Sequence, residues 1–147
     1  MKKNFKGRTR ARKFAYMMMY QYFMADYTPE EITKNFWASV KESDEEVISF
    51  ANELFSGAAL SVSANDDIIC KYIRSDWTYE RMGDVEKSIL RVAVYELFRL
   101  EAPYYAVIND FVTLAKKYSE EKSAALVNGI LENIRKNYNL SEGKVES

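Results

Sequence analysis

The sequence predicts an all-α fold, a compact bundle of about seven helices, and three observations carry the prediction. Its 147 residues include only 5 glycines and 2 prolines, too few for a chain of many tight turns. Apolar residues recur at spacings of three and four along most of the length, and no segment alternates convincingly as a strand would. With 48% hydrophobic residues, 11 Tyr and 8 Phe, a domain of this size fills its core without staples. No internal repeat and no linker divides the chain, so residues 1–147 read as one domain with a basic arm over 1–8 and a flexible tail over 139–147.

Each element has its own signal. Arg10 to Ala25 places Ala11, Ala15, Met18, Met19 and Tyr22 on one apolar stripe, with Arg8, Arg12, Tyr16 and Tyr20 as a second row at spacing four. Thr28-Pro29-Glu30-Glu31 is a helix start, with Thr28 as the cap, Pro29 at the first position and Glu31 closing a capping box. That short helix ends before the polar stretch Lys41–Asp44, and Ser43 with Glu46 repeats the capping signature. The pattern then runs through Val47, Phe50, Ala51, Leu54, Phe55 and Ala58 towards Ile73. Gly57 and the small polar stretch Ser61–Asn65 predict a break, hence two helices. Trp77 to Met82 reads as a turn with a short helical piece.

Asp84 is expected to cap Val85–Leu100, where apolar residues leave only a narrow polar row of Lys87, Arg91, Tyr95 and Arg99. A helix apolar over most of its circumference belongs in the middle of the bundle. After Pro103, residues 104–118 form an amphipathic helix through Ile108, Phe111, Val112 and Ala115. The last helix, about 121–137, uses Leu126, Val127, Ile130, Leu131 and Ile134.

Composition weighs against catalysis. The chain has no His, which removes the commonest general base and metal ligand. One Cys without His builds neither a Cys–His pair nor a zinc cluster, so no metal and no cofactor is expected. The glycines stand alone, with no phosphate-cradling loop. Acid pairs such as Glu45–Glu46, Asp66–Asp67 and Glu120–Glu121 are sequence neighbours, which point about 100° apart on a helix. The single Cys70 suggests a reducing, cytoplasmic setting, and no stretch approaches the roughly 20 apolar residues of a membrane span.

A net charge of −1 conceals an asymmetry. Lys2, Lys3, Lys6, Arg8, Arg10, Arg12 and Lys13 crowd the first thirteen residues, and the first acid is Asp26. Such a segment suits a polyanion, and each phosphate contact with a single strand lowers the salt slope by about 0.7. Tyr16 and Tyr20 offer stacking surfaces, each worth about 1–3 kcal/mol for an unpaired base. The competing readings are a solvated tail with core tyrosines, and a targeting presequence. A second basic patch comprises Lys116, Lys117 and Lys122, with Ser123 as a helix cap or hydroxyl donor. The lysines also suit the negative end of a helix dipole, which explains them without a ligand.

Several motifs in order carry a resemblance. Val85-Glu86-Lys87-Ser88-Ile89-Leu90-Arg91-Val92-Ala93-Val94-Tyr95-Glu96-Leu97 is followed by Pro103, Ala106–Asp110, Leu114-Ala115-Lys116 and Val127–Leu131, with Arg10-Ala11-Arg12, Ala15 and Tyr20 ahead. Over roughly residues 8–137, weakly in 26–76, the sequence resembles the NusB family of transcription antitermination factors. The resemblance implies two packed helical subdomains. It also implies binding to single-stranded boxA-type RNA of ribosomal RNA leaders, together with the ribosomal small-subunit protein NusE, within the transcription elongation complex. Carried over by position, Arg8, Arg10 and Arg12 contact RNA, alongside Lys3, Lys6 and Lys13 of the same segment. Lys116, Lys117, Lys122, Ser123 and Leu126 line the adjoining surface, and Glu80 and Glu86 face NusE. Met17 stands where the family often has Gln, and Lys122 where an acid can occur. The added charge predicts firm RNA binding even without the partner.

Two rivals remain. NusB-like domains also resemble the N-terminal part of a ribosomal RNA cytosine methyltransferase, which needs an α/β domain downstream that a chain stopping at Ser147 is not expected to have. Alternatively the domain self-associates as a homodimer with an inert basic end. Charge reversal of Arg10 and Arg12 is expected to separate an adaptor from an inert tail.

Overall fold

A computed structural model of the chain describes residues 6–73 and 79–140. Seven α-helices and no strand occur among them: α1 (Arg8–Met24), α2 (Pro29–Ser39), α3 (Glu45–Leu60), α4 (Val62–Lys71), α5 (Asp84–Arg99), α6 (Tyr104–Tyr118) and α7 (Glu121–Asn137), with a 3-10 turn at Tyr79–Arg81. The expected residues Lys3 and Trp77 lie outside the described residues, as do 1–5 of the arm and 141–147 of the tail.

The start of α2 follows the reading of its sequence. The Thr28 hydroxyl accepts from the Glu31 amide at 3.1 Å, and the Thr28 amide donates to the Glu31 carboxylate at 2.8 Å. Two orphan donors are thereby satisfied, a device contributing about 1 kcal/mol. Two other boundaries differ. Asp44, not Ser43, caps α3 by accepting from the Glu46 amide at 2.9 Å. Gly83 is the residue before α5, and Asp84 is its first helical residue, where its charge still favours the positive helix end. The break between α3 and α4 falls at Ser61, within the expected stretch Ser61–Asn65, with a bend of 76°; Gly57 stays helical. Its role is close packing, because a Cβ there would overlap the ring of Tyr95 on α5.

α1, α2 and α3 pack together as one subdomain, and α4 to α7 as the other, with α1 and α3 against α5 joining them. As its circumference requires, α5 is central and meets α1, α3, α4, α6 and α7. Ile89, Leu90, Val92, Ala93 and Val94 are fully buried, as are Met18, Met19, Leu54, Phe55 and Phe111 around them. Arg91 of α5 forms a two-pronged ion pair with Asp66 of α4, both prongs 2.9 Å. Its guanidinium lies 3.7 Å from the centre of the Phe23 ring, and the Tyr79 hydroxyl donates to Asp66 at 2.8 Å. The end of α1, α4 and the 3-10 turn are thus pinned to α5. Beyond α7, Asn139 takes a left-handed conformation and Leu140 folds back into the core, so the packed body extends two residues into the expected tail. No single helix among the described residues is long and apolar enough to cross a membrane.

Candidate nucleic-acid interface

The basic first turns of α1 run beside α6. Thr9 donates its hydroxyl to Asp110 at 2.9 Å, and the same carboxylate oxygen accepts from Arg12 Nη1 at 2.8 Å. Two turns further along both helices, the Tyr16 ring meets the Tyr118 ring at 5.5 Å. α1 and α6 therefore lie side by side in the same direction over this stretch. Lys117 lies two turns beyond Asp110 on the same face of α6, since seven residues nearly complete two turns. Its ammonium sits 5.5 Å from the centre of the Tyr118 ring.

The cations divide into two groups. Lys6, Arg10, Lys116, Lys117 and Lys122 are exposed, and half-buried Lys13 lies over the Phe14 ring at 5.2 Å. Arg10 holds Glu42 by two bonds of 2.7 and 3.2 Å, yet 45% of its side chain remains accessible. A phosphate can compete for such a solvated pair.

Arg8 and Arg12 do not share that access, and here the structure corrects the expected direct RNA contacts. Arg8 is buried with its guanidinium 4.8 Å from the Phe50 ring centre. Arg12, 2% exposed, gives Nε and Nη2 to the Glu96 carboxylate at 2.8 and 2.7 Å and Nη1 to Asp110. Burial works against its charge, and the bonds from Glu96 and Asp110 more than restore it. Arg12 is a joint between α1, α5 and α6. A buried cation with three short bonds to two acids is not available to a phosphate.

The tyrosines also separate. Tyr16 is buried against Tyr118, and burial, followed by the charges of Tyr118, Tyr20 and Glu86, pushes its hydroxyl up to about 12. It supports the surface and does not stack on a base. Tyr20 is half-buried against the core, and Tyr118 is 39% exposed, making Tyr118 the more open ring.

Glu86 is corrected as well. It is 8% exposed and points inward, accepting from the Ser119 hydroxyl at 2.6 Å and from Ser123. Burial alone would raise its carboxyl, but the two serine bonds, with one from its own backbone amide, outweigh it and the net direction is down. The carboxylate ties the start of α5 to the turn between α6 and α7. Ser123 accordingly is neither an α7 cap, a place taken by Glu120, nor a surface hydroxyl. Leu126 is 7% exposed and forms floor more than contact. Glu80 is exposed on the 3-10 turn, open to a partner.

Sequence reasoning missed Glu96, Asp110, Ser119 and Tyr118. Glu96 had a signal: an acid on the buried face of a core helix demands a cation. The others depend on which helices become neighbours.

Residues 9–136 match the family model described as the NusB family. The transcription antitermination protein NusB of Anaeromyxobacter dehalogenans is 37% identical over 127 residues, covering 86% of this chain and 89% of that protein. That of Thermodesulfovibrio yellowstonii is 38% identical over 139 residues, covering 88% and 91%. A crystal structure of antitermination factors NusB and NusE in complex with double-stranded RNA superposes with a TM-score of 0.84 at 30% identity, covering 92% of this chain and 100% of that one.

Proposed function

The chain belongs to the NusB family, and from that premise we propose that it is a transcription antitermination factor. In this reading it binds boxA RNA of ribosomal RNA leaders jointly with NusE, in the cytoplasm, and promotes processive transcription by positioning its partners. It makes and breaks no bond. The observation that carries the reading is the seating of α1 on α6 through Asp110. Thr9 and Arg12 both bond that carboxylate, so the cationic start of α1 and the lysines ending α6 belong to one ledge. The kinship with a structure that holds NusB, NusE and RNA together supports the same partners here.

On this ledge Lys6, Arg10, Lys13, Lys116, Lys117 and Lys122 hold the RNA backbone, Tyr118 beside Lys117 offers an open ring, and Tyr20 follows one turn beyond Tyr16 on α1. Arg12, Tyr16, Glu86 and Ser123 keep the ledge in shape from beneath. Glu80 meets a basic surface of NusE. Joint binding of RNA and NusE raises the affinity of each, because the second contact becomes intramolecular.

The test is titration of a boxA-type single-stranded RNA, with and without NusE, at two salt concentrations. Binding that weakens with salt and tightens with NusE is expected. Binding indifferent to both would remove the proposal.

A further inference from the structure

Gly129 lies within α7, exposed, and nothing among the described residues calls for a glycine there. No glycine among the described residues has a positive φ, and a Cβ at 129 would meet none of their atoms within 4 Å. Glycine is the poorest helix former after proline, so this position weakens α7 without serving the fold. What the missing side chain leaves is room. A hollow of about 360 Å³ opens over Gly129, lined by Tyr72 from the end of α4 and by Lys122, Leu126, Ile130 and Asn133 of α7. Leu126 and Ile130 are buried and form the floor, with Lys122 towards one end of the stripe and Asn133 towards the other. The Tyr72 wall is braced: its ring meets Tyr138 edge-on at 6.3 Å, and Tyr138 meets Phe98 at 5.2 Å.

We propose that this hollow is a subsite for one unpaired RNA base, stacked on Tyr72 over Gly129, with Lys122 beside its phosphate and the Asn133 amide at its edge. The inference rests on the RNA-binding reading above and extends that surface from α6 onto the outer face of α7. Lys122 and Leu126 belong to both, so the hollow continues the ledge. An aromatic wall, an apolar floor, an amide and a cation are what a single-strand binder offers a splayed base. A fixed, braced ring also loses little freedom on stacking.

The test uses the full chain and a fluorescein-labelled boxA-type single strand, with a set of copies in which each base in turn is abasic. In the wild type, one abasic position weakens binding about tenfold. Gly129→Leu, which fills the hollow, weakens binding of the intact strand by about the same factor. It also makes that one abasic position silent, at a melting temperature no lower than wild type. Arg10→Glu weakens every strand alike. If Gly129→Leu responds to each abasic strand as the wild type does, the subsite is overturned, while an effect of Arg10→Glu leaves the RNA-binding reading standing. A wild-type chain that binds none of the strands overturns both. If Gly129→Leu spares RNA binding and weakens capture of NusE, the hollow docks protein and the proposal falls.

Discussion

Arg12 and Glu96 face one another across the junction of α1 and α5 as a two-pronged pair, with bonds of 2.8 and 2.7 Å. Their side chains are 3% and 2% accessible. One of the three arginines that the sequence offers as RNA ligands is therefore a structural joint, and Asp110 completes it from α6.

Removing one partner of this pair leaves the other charged and buried. Glu96→Ala or Arg12→Ala is expected to destabilise the fold by about 3–5 kcal/mol. Replacing both together with Met and Leu recovers most of that, since an apolar pair of similar volume carries no desolvation penalty. Urea unfolding of the two single variants and the double variant measures the difference. Equal losses in all three would contradict a buried pair.

Two glycines should respond to alanine with opposite signs. Gly57→Ala drives a methyl group into the Tyr95 ring and is expected to cost about 1–3 kcal/mol. Gly129→Ala enters open space and gains about 0.5–1 kcal/mol of helix propensity. Thermal melts of both variants under one buffer check the pair of signs.

Glu86 predicts a pH effect. Its folded-state value lies below the ordinary one, so its stabilisation is fully present above the unfolded value of about 4.3 and is lost as pH falls through the folded value. Glu86→Gln removes this contribution. Its melting temperature should therefore fall less steeply than that of the wild type as pH drops through the acid range. Parallel curves would show that Ser119 and Ser123 do not favour the charged form.

Arg10 is held by Glu42 at the surface. Glu42→Gln removes a competitor for the guanidinium and is expected to tighten RNA binding about threefold at low salt, with the gain fading as salt rises. Filter binding of a boxA-type RNA at two salt concentrations reads this directly, and a loss of affinity would mean that Glu42 orients Arg10 usefully.

Local signals made most helices legible, and the capping box at Thr28 and the circumference of α5 gave a start and a position. What stayed hidden is set by distant pairing. Nothing near Arg12 in sequence marks it as buried, because its partners are Glu96 and Asp110, far along the chain. Likewise Glu86 reads as a surface acid until Ser119 and Ser123 are folded onto it. The resemblance named site residues by position, yet it treated buried and exposed ones alike. Burial separates Leu126 and Tyr16 beneath from Lys117 and Tyr118 above.

The central claim is that cations from α1, α6 and α7 act on one RNA strand together. The most direct measurement is the salt dependence of boxA-type RNA binding by the wild type and by a variant carrying Arg10→Ala, Lys117→Ala and Lys122→Ala. Three lost phosphate contacts reduce the steepness of log K against log salt by about 2 for a single strand, at unchanged melting temperature. An identical slope and affinity in the two proteins would contradict the account.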